Sequence, residues 1–308
     1  MTVSHDFVHS YDTATAKHGF WQYAFQWPRY FSQVVRSRAL FWNFARRELL
    51  SRFRGSAGGI FWVLIQPIFQ FAIYFFVFGF LFEHRTQTGG PSTDFAIYLF
   101  SGILIFNTLM EGTTQAMQSV VSSSNLVKKV AFPCELLPLS PVIVSQTVYL
   151  VGCVVLLTAG LITGDIVLSA KILAWPLVFL CALVMSTGIG LLLAATNVFA
   201  RDIAHLYRIV AQAWFFMTPI FWPLDLVAQK VTGAPWILNI MLLNPAYPVT
   251  MAARQVIGLP ESIPPSAARL VPMTLTGNLI AAAIWASVLF VVGYGFFMSR
   301  KHKFADLV

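Results

Sequence analysis

The 308 residues (34.3 kDa) leave room for one large soluble domain or two smaller ones. Composition argues against that: 57% of the chain is hydrophobic and only 10% is charged, against roughly 45–50% and 25% in soluble globular proteins. So little charge cannot solvate a water-exposed globule, and the mean hydropathy of +0.72 agrees; the chain reads as an integral membrane protein. Its net charge of +8 then reflects basic cytoplasmic loops, and no nucleic-acid partner is expected.

Residues 1–35 mix polar and aromatic side chains, including Asp6, His9, Asp12, Lys17 and His18. They contain no apolar core ahead of a small-residue cleavage site, so no signal peptide is expected. From Arg36 to Arg54 the pattern predicts an imperfectly amphipathic helix. Ala45, Leu49 and Phe53 fall near Trp42, with Asn43, Arg47, Ser51 and Arg54 opposite. Such a helix, carrying Arg46 and Arg47, lies in the cytoplasmic interface. Six apolar runs follow at 58–82, 95–115, 136–163, 172–198, 209–224 and 277–299, near the roughly 20 residues needed to cross the hydrocarbon. The fifth is short and is broken by Pro219 and Pro223. Two stretches between the fifth and sixth, 235–243 and 247–257, are too short to span and read as re-entrant or interfacial helices.

The expected fold is therefore all-α and integral to the membrane, with six transmembrane helices, an N-terminal interface helix and short gate helices between spans five and six. The corresponding division is a cytoplasmic extension (1–35), the interface helix (36–56), a six-span domain (57–299) and a cytoplasmic tail (300–308). With both termini cytoplasmic, fifteen Lys and Arg fall on the inner side and five (Arg85, Lys171, Lys230, Arg254, Arg269) on the outer, a strong positive-inside bias. Cys134, Cys153 and Cys181 are widely spaced without a C-x-x-C pair and read as small buried hydrophobes.

Glu111 is the one acid inside an expected span, with Asn107, Thr108, Thr113, Thr114 and Gln115 around it. It reads either as an interfacial carboxylate or as part of a polar lining; one marginal acid does not build a proton relay. No phosphate-binding loop and no clustered His/Cys ligand set is present, so the chain carries no catalytic, cofactor or metal site of its own. Any work it performs draws on a partner. The segment 118–138 offers a docking point: Ser122-Ser123-Ser124-Asn125 precedes Leu126-Val127-Lys128-Lys129, a pattern for a capped short helix. The same segment reads equally well as an ordinary connecting loop.

Four motifs in chain order carry a family resemblance. Gly59-Ile60-Phe61-Trp62 followed by Pro67, Asn197-Val198-Phe199-Ala200-Arg201-Asp202, Thr218-Pro219-Ile220-Phe221-Trp222-Pro223, and Asn244-Pro245 with Arg254 downstream resemble motifs of permease subunits of ABC-type polysaccharide exporters. The branch exporting O-antigen or teichoic acid is the nearest. The resemblance runs from about Phe41 to the C-terminus. It implies a homodimer in the cytoplasmic (inner) membrane with two cytoplasmic ATP-binding-cassette subunits, and ATP and Mg bound by those subunits alone. The implied substrate is a lipid-linked glycan passing through a channel at the dimer interface. Asn125, Lys128 and Lys129 would then belong to a coupling helix, with Arg46 and Arg47 completing the ATPase groove. Phe75, Phe76, Phe78, Phe215, Phe216, Phe221 and Trp222 could line the channel, because sugars stack on aromatic faces. Alternatives are an ABC exporter of small hydrophobic drugs or lipids, or an integral-membrane enzyme acting on lipid-linked substrates.

Overall fold

A computed structural model describes residues 19–53, 55, 58–77, 93–129, 133–164, 166, 169–221, 243–259 and 274–308. The described residues are all helical or irregular. In chain order the helices are α1 (Phe20–Ala24), α2 (Pro28–Arg36), α3 (Arg38–Phe53), α4 (Trp62–Tyr74), α5 (Thr93–Ser122), α6 (Ser124–Lys129), α7 (Leu139–Thr163), α8 (Trp175–Phe199), α9 (Ile203–Met217), α10 (Ala246–Val256), α11 (Leu275–Arg300) and α12 (Phe304–Leu307). Among the described residues four helical stretches are long and apolar enough to cross a membrane: Phe95–Ser122, Cys134–Thr163, Ala170–Phe199 and Leu275–Lys303. They match the second, third, fourth and sixth expected spans. The first is represented by α4, 13 residues long, and the expected remainder from Phe78 to Phe82 lies outside the described residues. The fifth is α9, whose 15 residues cover about 22 Å at 1.5 Å each.

Helices α5, α7, α8 and α11 form the body, and the pairs α8–α11, α5–α8 and α5–α7 are its main seams. In a bilayer, apolar burial gives little drive for helix association, so close packing of small residues supplies it. The α8–α11 seam shows how. A Cβ built on Gly293 would lie 1.9 Å from the Gly188 carbonyl oxygen, and one on Gly188 would lie 2.5 Å from Phe290 Cα. The two backbones touch, and only glycine fits at either position. Helix α7 ends at Gly164, whose φ of 83° gives the left-handed cap that glycine adopts without strain.

The N-terminal residues differ from expectation in two ways. The extension ahead of Arg36, to which the sequence assigned no role, packs on α11: Ala24 meets Gly295, and the buried Tyr30 ring sits 5.2 Å from Phe290 and 5.6 Å from Tyr294. In α3 the inward face is not centred on Trp42. Ala45 is buried and Phe41, Phe44, Glu48 and Leu49 are half-buried, whereas Trp42 is 66% exposed. The inward stripe is rotated by about 80° from the expected one. It follows i, i+3, i+4, i+7, i+8 spacing, set by packing against α7 rather than by polarity.

Candidate functional site

Helix α5 carries the most informative surface. Most of its side chains are buried among α7, α8 and α10. Those described as exposed are Asn107, Gln115, Gln118 and Ser122, with Glu111 and Thr114 half-buried between them. At 100° per residue all six fall within about 100° of one another, and at 1.5 Å per residue they run for about 22 Å along the axis. Thr108 and Thr113, expected beside them, are buried. Their hydroxyls donate to the Leu104 and Leu109 carbonyls, and Thr113 Oγ1 is 2.6 Å from the Tyr207 hydroxyl of α9. The polar stripe is therefore narrower than the sequence suggested, and it extends further toward the C-terminal end of α5 through Gln118 and Ser122.

Helices in the same chain provide the contrast. The exposed face of α11 presents Ile280, Ile284, Val288 and Val292, and that of α7 presents Leu150, Val154, Leu161 and Ile162. Those faces suit lipid. The stripe on α5 does not, because moving amide and carboxylate groups from water into hydrocarbon costs about 2–7 kcal/mol each.

The aromatic candidates divide. Phe75, Phe76 and Phe216 are exposed. Phe215 is instead packed between Phe106 and Phe221, each with its ring centroid 5.1 Å away. Phe221 also stacks on Phe216. Phe215 and Phe221 thus fix the end of α9 against α5, since neighbouring rings satisfy their faces. Phe78 and Trp222 lie outside the described residues.

Where α9 ends, a polar knot gathers two of the motifs. Trp214 Nε1 donates to Asn244 Oδ1, Asn244 Nδ2 donates to Thr218 Oγ1 at 2.7 Å, and the Ala246 amide donates to Asn244 Oδ1 at 2.9 Å. Asn244 thereby ties the start of α10 to the Thr218-Pro219 turn, and Pro245 leads into the helix. Arg254, expected on an outer loop, is completely buried. Its guanidinium lies 3.5 Å from the Tyr98 ring centroid and donates to the carbonyls of Pro219 (2.8 Å), Ile220 (3.2 Å) and Tyr98 (3.3 Å). It therefore leaves the count of outer loop charges. Tyr98 is a partner that no spacing in the sequence pointed to.

At the other motifs, Gly59 has φ 51° and starts the turn Gly59–Phe61. The Trp62 indole lies against Gly58, and Pro67 sits inside α4. Asn197 is buried, and its Nδ2 donates to the Met117 carbonyl at 3.1 Å and to Gln118 Oε1 at 3.4 Å, joining α8 to the lower end of the α5 stripe. Arg201 and Asp202 are exposed in the turn before α9, and the Asp202 side chain makes no capping bond there. Helix α6 places Asn125 and Lys128 at the surface; the side chain of Lys129 lies outside the described residues. On α3, Arg46 and Arg47 are exposed and line a surface hollow of about 280 Å³ with Asn43, Leu50 and Ser51. Arg47 stacks over Phe44 at 4.9 Å.

Four membrane-length helices among the described residues, with α8 and α11 packed through glycine and α5 bearing a polar stripe, define a multi-pass membrane protein. The chain belongs to the ABC-2 type transporter family, whose family model matches residues 39–257. Among curated relatives it is similar to the O-antigen export system permease protein RfbA of Myxococcus xanthus, 24% identical over 276 residues, covering 90% of this chain and 98% of the relative. It is also similar to the RfbA protein of the same description from Klebsiella pneumoniae, 21% identical over 263 residues, covering 85% of this chain and 92% of the relative. The family is one of transporters rather than enzymes.

Proposed function

We propose that this chain is the channel-forming permease of an ATP-driven exporter that moves a lipid-linked polysaccharide of the O-antigen type out across the cytoplasmic membrane. Two copies pair so that the α5 stripes face a shared, hydrated path. A cassette ATPase docks on each copy at α6 and beside the basic face of α3, and it binds ATP and Mg. The observation that carries this reading is the α5 stripe, the only described exposed face on a membrane-length helix that is polar along its length. A sugar polymer needs such hydrogen-bonding groups, whereas a path for hydrophobic drugs is lined predominantly by apolar side chains. The relatives' role in O-antigen export and the order of the four motifs support the same substrate class.

The test is co-expression with the cassette ATPase, purification of the complex and reconstitution in vesicles with a lipid-linked glycan extracted from host membranes. ATP-dependent movement of the glycan is expected. Movement without ATP, or hydrolysis stimulated by small hydrophobic compounds but not by the glycan, would contradict the reading.

A further inference from the structure

The cytoplasmic end of the bundle holds a buried ion pair that none of the motifs includes. Lys301 Nζ lies 2.7 Å from Glu135 Oε2, with the two side chains only 11% and 1% exposed. Glu135 sits in the short turn Cys134–Leu136, between α6 and α7. Lys301 immediately follows α11. Separating such a pair would strand a buried charge, so the two ends move as one. A second tie lies beside it. The tail helix α12 packs directly on α6. Its buried Phe304 ring is 5.0 Å from Phe297 of α11 and 6.3 Å from Phe199 at the end of α8. Val127 of α6 and the terminal Val308 join the same apolar cluster. Tyr30 of α2 closes it from the other side; burial, and then the Glu135 carboxylate, push its phenol well above the ordinary range, so it stays neutral.

We propose that residues 301–308, clamped by the Lys301–Glu135 pair and the Phe304 plug, are a strut that transmits displacement of α6 to the last span. The tail is thus a positioning element for coupling hydrolysis to export. Helix α6 is only six residues long, and the tail gives it a direct bearing on the bundle. The tail supplies a direct contact from α6 to both α8 and α11. This inference rests on α6 being the ATPase docking helix.

The test uses the reconstituted complex and compares wild type, Lys301→Met, Lys301→Arg and Phe304→Leu. Three quantities are read: ATPase retained on purification, ATP hydrolysed, and glycan exported. In Lys301→Met the ATPase stays bound and hydrolysis continues, while ATP consumed per glycan rises about fivefold, in line with mutations that alter coupling without touching either site. Lys301→Arg restores the ratio. If Lys301→Met does not accumulate as folded protein, Phe304→Leu carries the same expectation, since it shrinks the plug without stranding a charge. A merely structural role would lower export and hydrolysis together and leave the ratio at the wild-type value, which would overturn the proposal. If the wild-type chain retains no ATPase, the docking reading falls first and this inference falls with it.

Discussion

The guanidinium of Arg254 is held by three carbonyls and a tyrosine ring contributed by α5 and by the turn after α9. Lysine at this position keeps the charge but cannot stack flat on Tyr98 while reaching three acceptors. Arg254→Lys is therefore expected to destabilise the protein by about 3 kcal/mol, read as a lower thermal midpoint in detergent. Asn244→Asp tests the neighbouring knot. It removes the Nδ2 donor to Thr218 and brings a carboxylate into a buried site, so the midpoint should fall while Asn244→Gln falls less. The motif residues Asn244, Arg254 and Thr218 were visible in the sequence, but their pairing was not, nor were the partners Trp214 and Tyr98. Those contacts join elements 26 to 156 positions apart, and a one-dimensional spacing holds no such distances.

At the scale of elements, the seam between α8 and α11 and the helix α6 make separate predictions. Gly293→Val forces side-chain atoms into the Gly188 carbonyl and should part the two helices, costing at least about 3 kcal/mol; little folded protein should survive extraction. Gly277→Ala, at the exposed start of α11, should be close to neutral by the same measurement. Replacing both Lys128 and Lys129 by Glu should abolish retention of the ATPase and leave the thermal midpoint unchanged, because Lys128 is exposed and α6 lies outside the main seams. Retention of the ATPase by that variant would remove α6 as the docking helix. Long apolar elements were legible in the sequence to within a few residues: the expected 136–163 and 172–198 became Cys134–Thr163 and Ala170–Phe199. Periodicity served less well for α3. There the inward direction is chosen by contact with α7, and a helix of mixed arginine, phenylalanine and leucine has no single apolar face to reveal it. The packing of α1 and α2 was invisible for the opposite reason: the run from Gly19 to Arg36 is too short and too polar to register as a membrane element, although Tyr30 anchors it.

For the whole molecule, the low charge content separates into faces with different duties. Apolar faces on α7 and α11 suit lipid, basic side chains such as Arg46, Arg47 and Lys128 are exposed, and one narrow polar stripe runs down α5. The sequence had placed Asn107 and Glu111 near a possible lining. It could not distinguish the buried Thr108 and Thr113 from the exposed Gln118 and Ser122, because that separation depends on where α8 and α9 pack. The aromatic channel-lining candidates have likewise divided between exposed rings (Phe75, Phe76, Phe216) and packing rings (Phe215, Phe221). The central claim is that the α5 stripe faces water inside the membrane. Its most direct measurement replaces the three native cysteines, introduces single cysteines along residues 105–122 of the complex in membranes, and reads their labelling by a charged, membrane-impermeant thiol reagent from either side. The expected result is labelling at Asn107→Cys, Glu111→Cys, Gln115→Cys, Gln118→Cys and Ser122→Cys, with Leu109→Cys, Ala116→Cys and Val120→Cys silent. Silence at the stripe positions above Gln118, or labelling without helical periodicity, would contradict it.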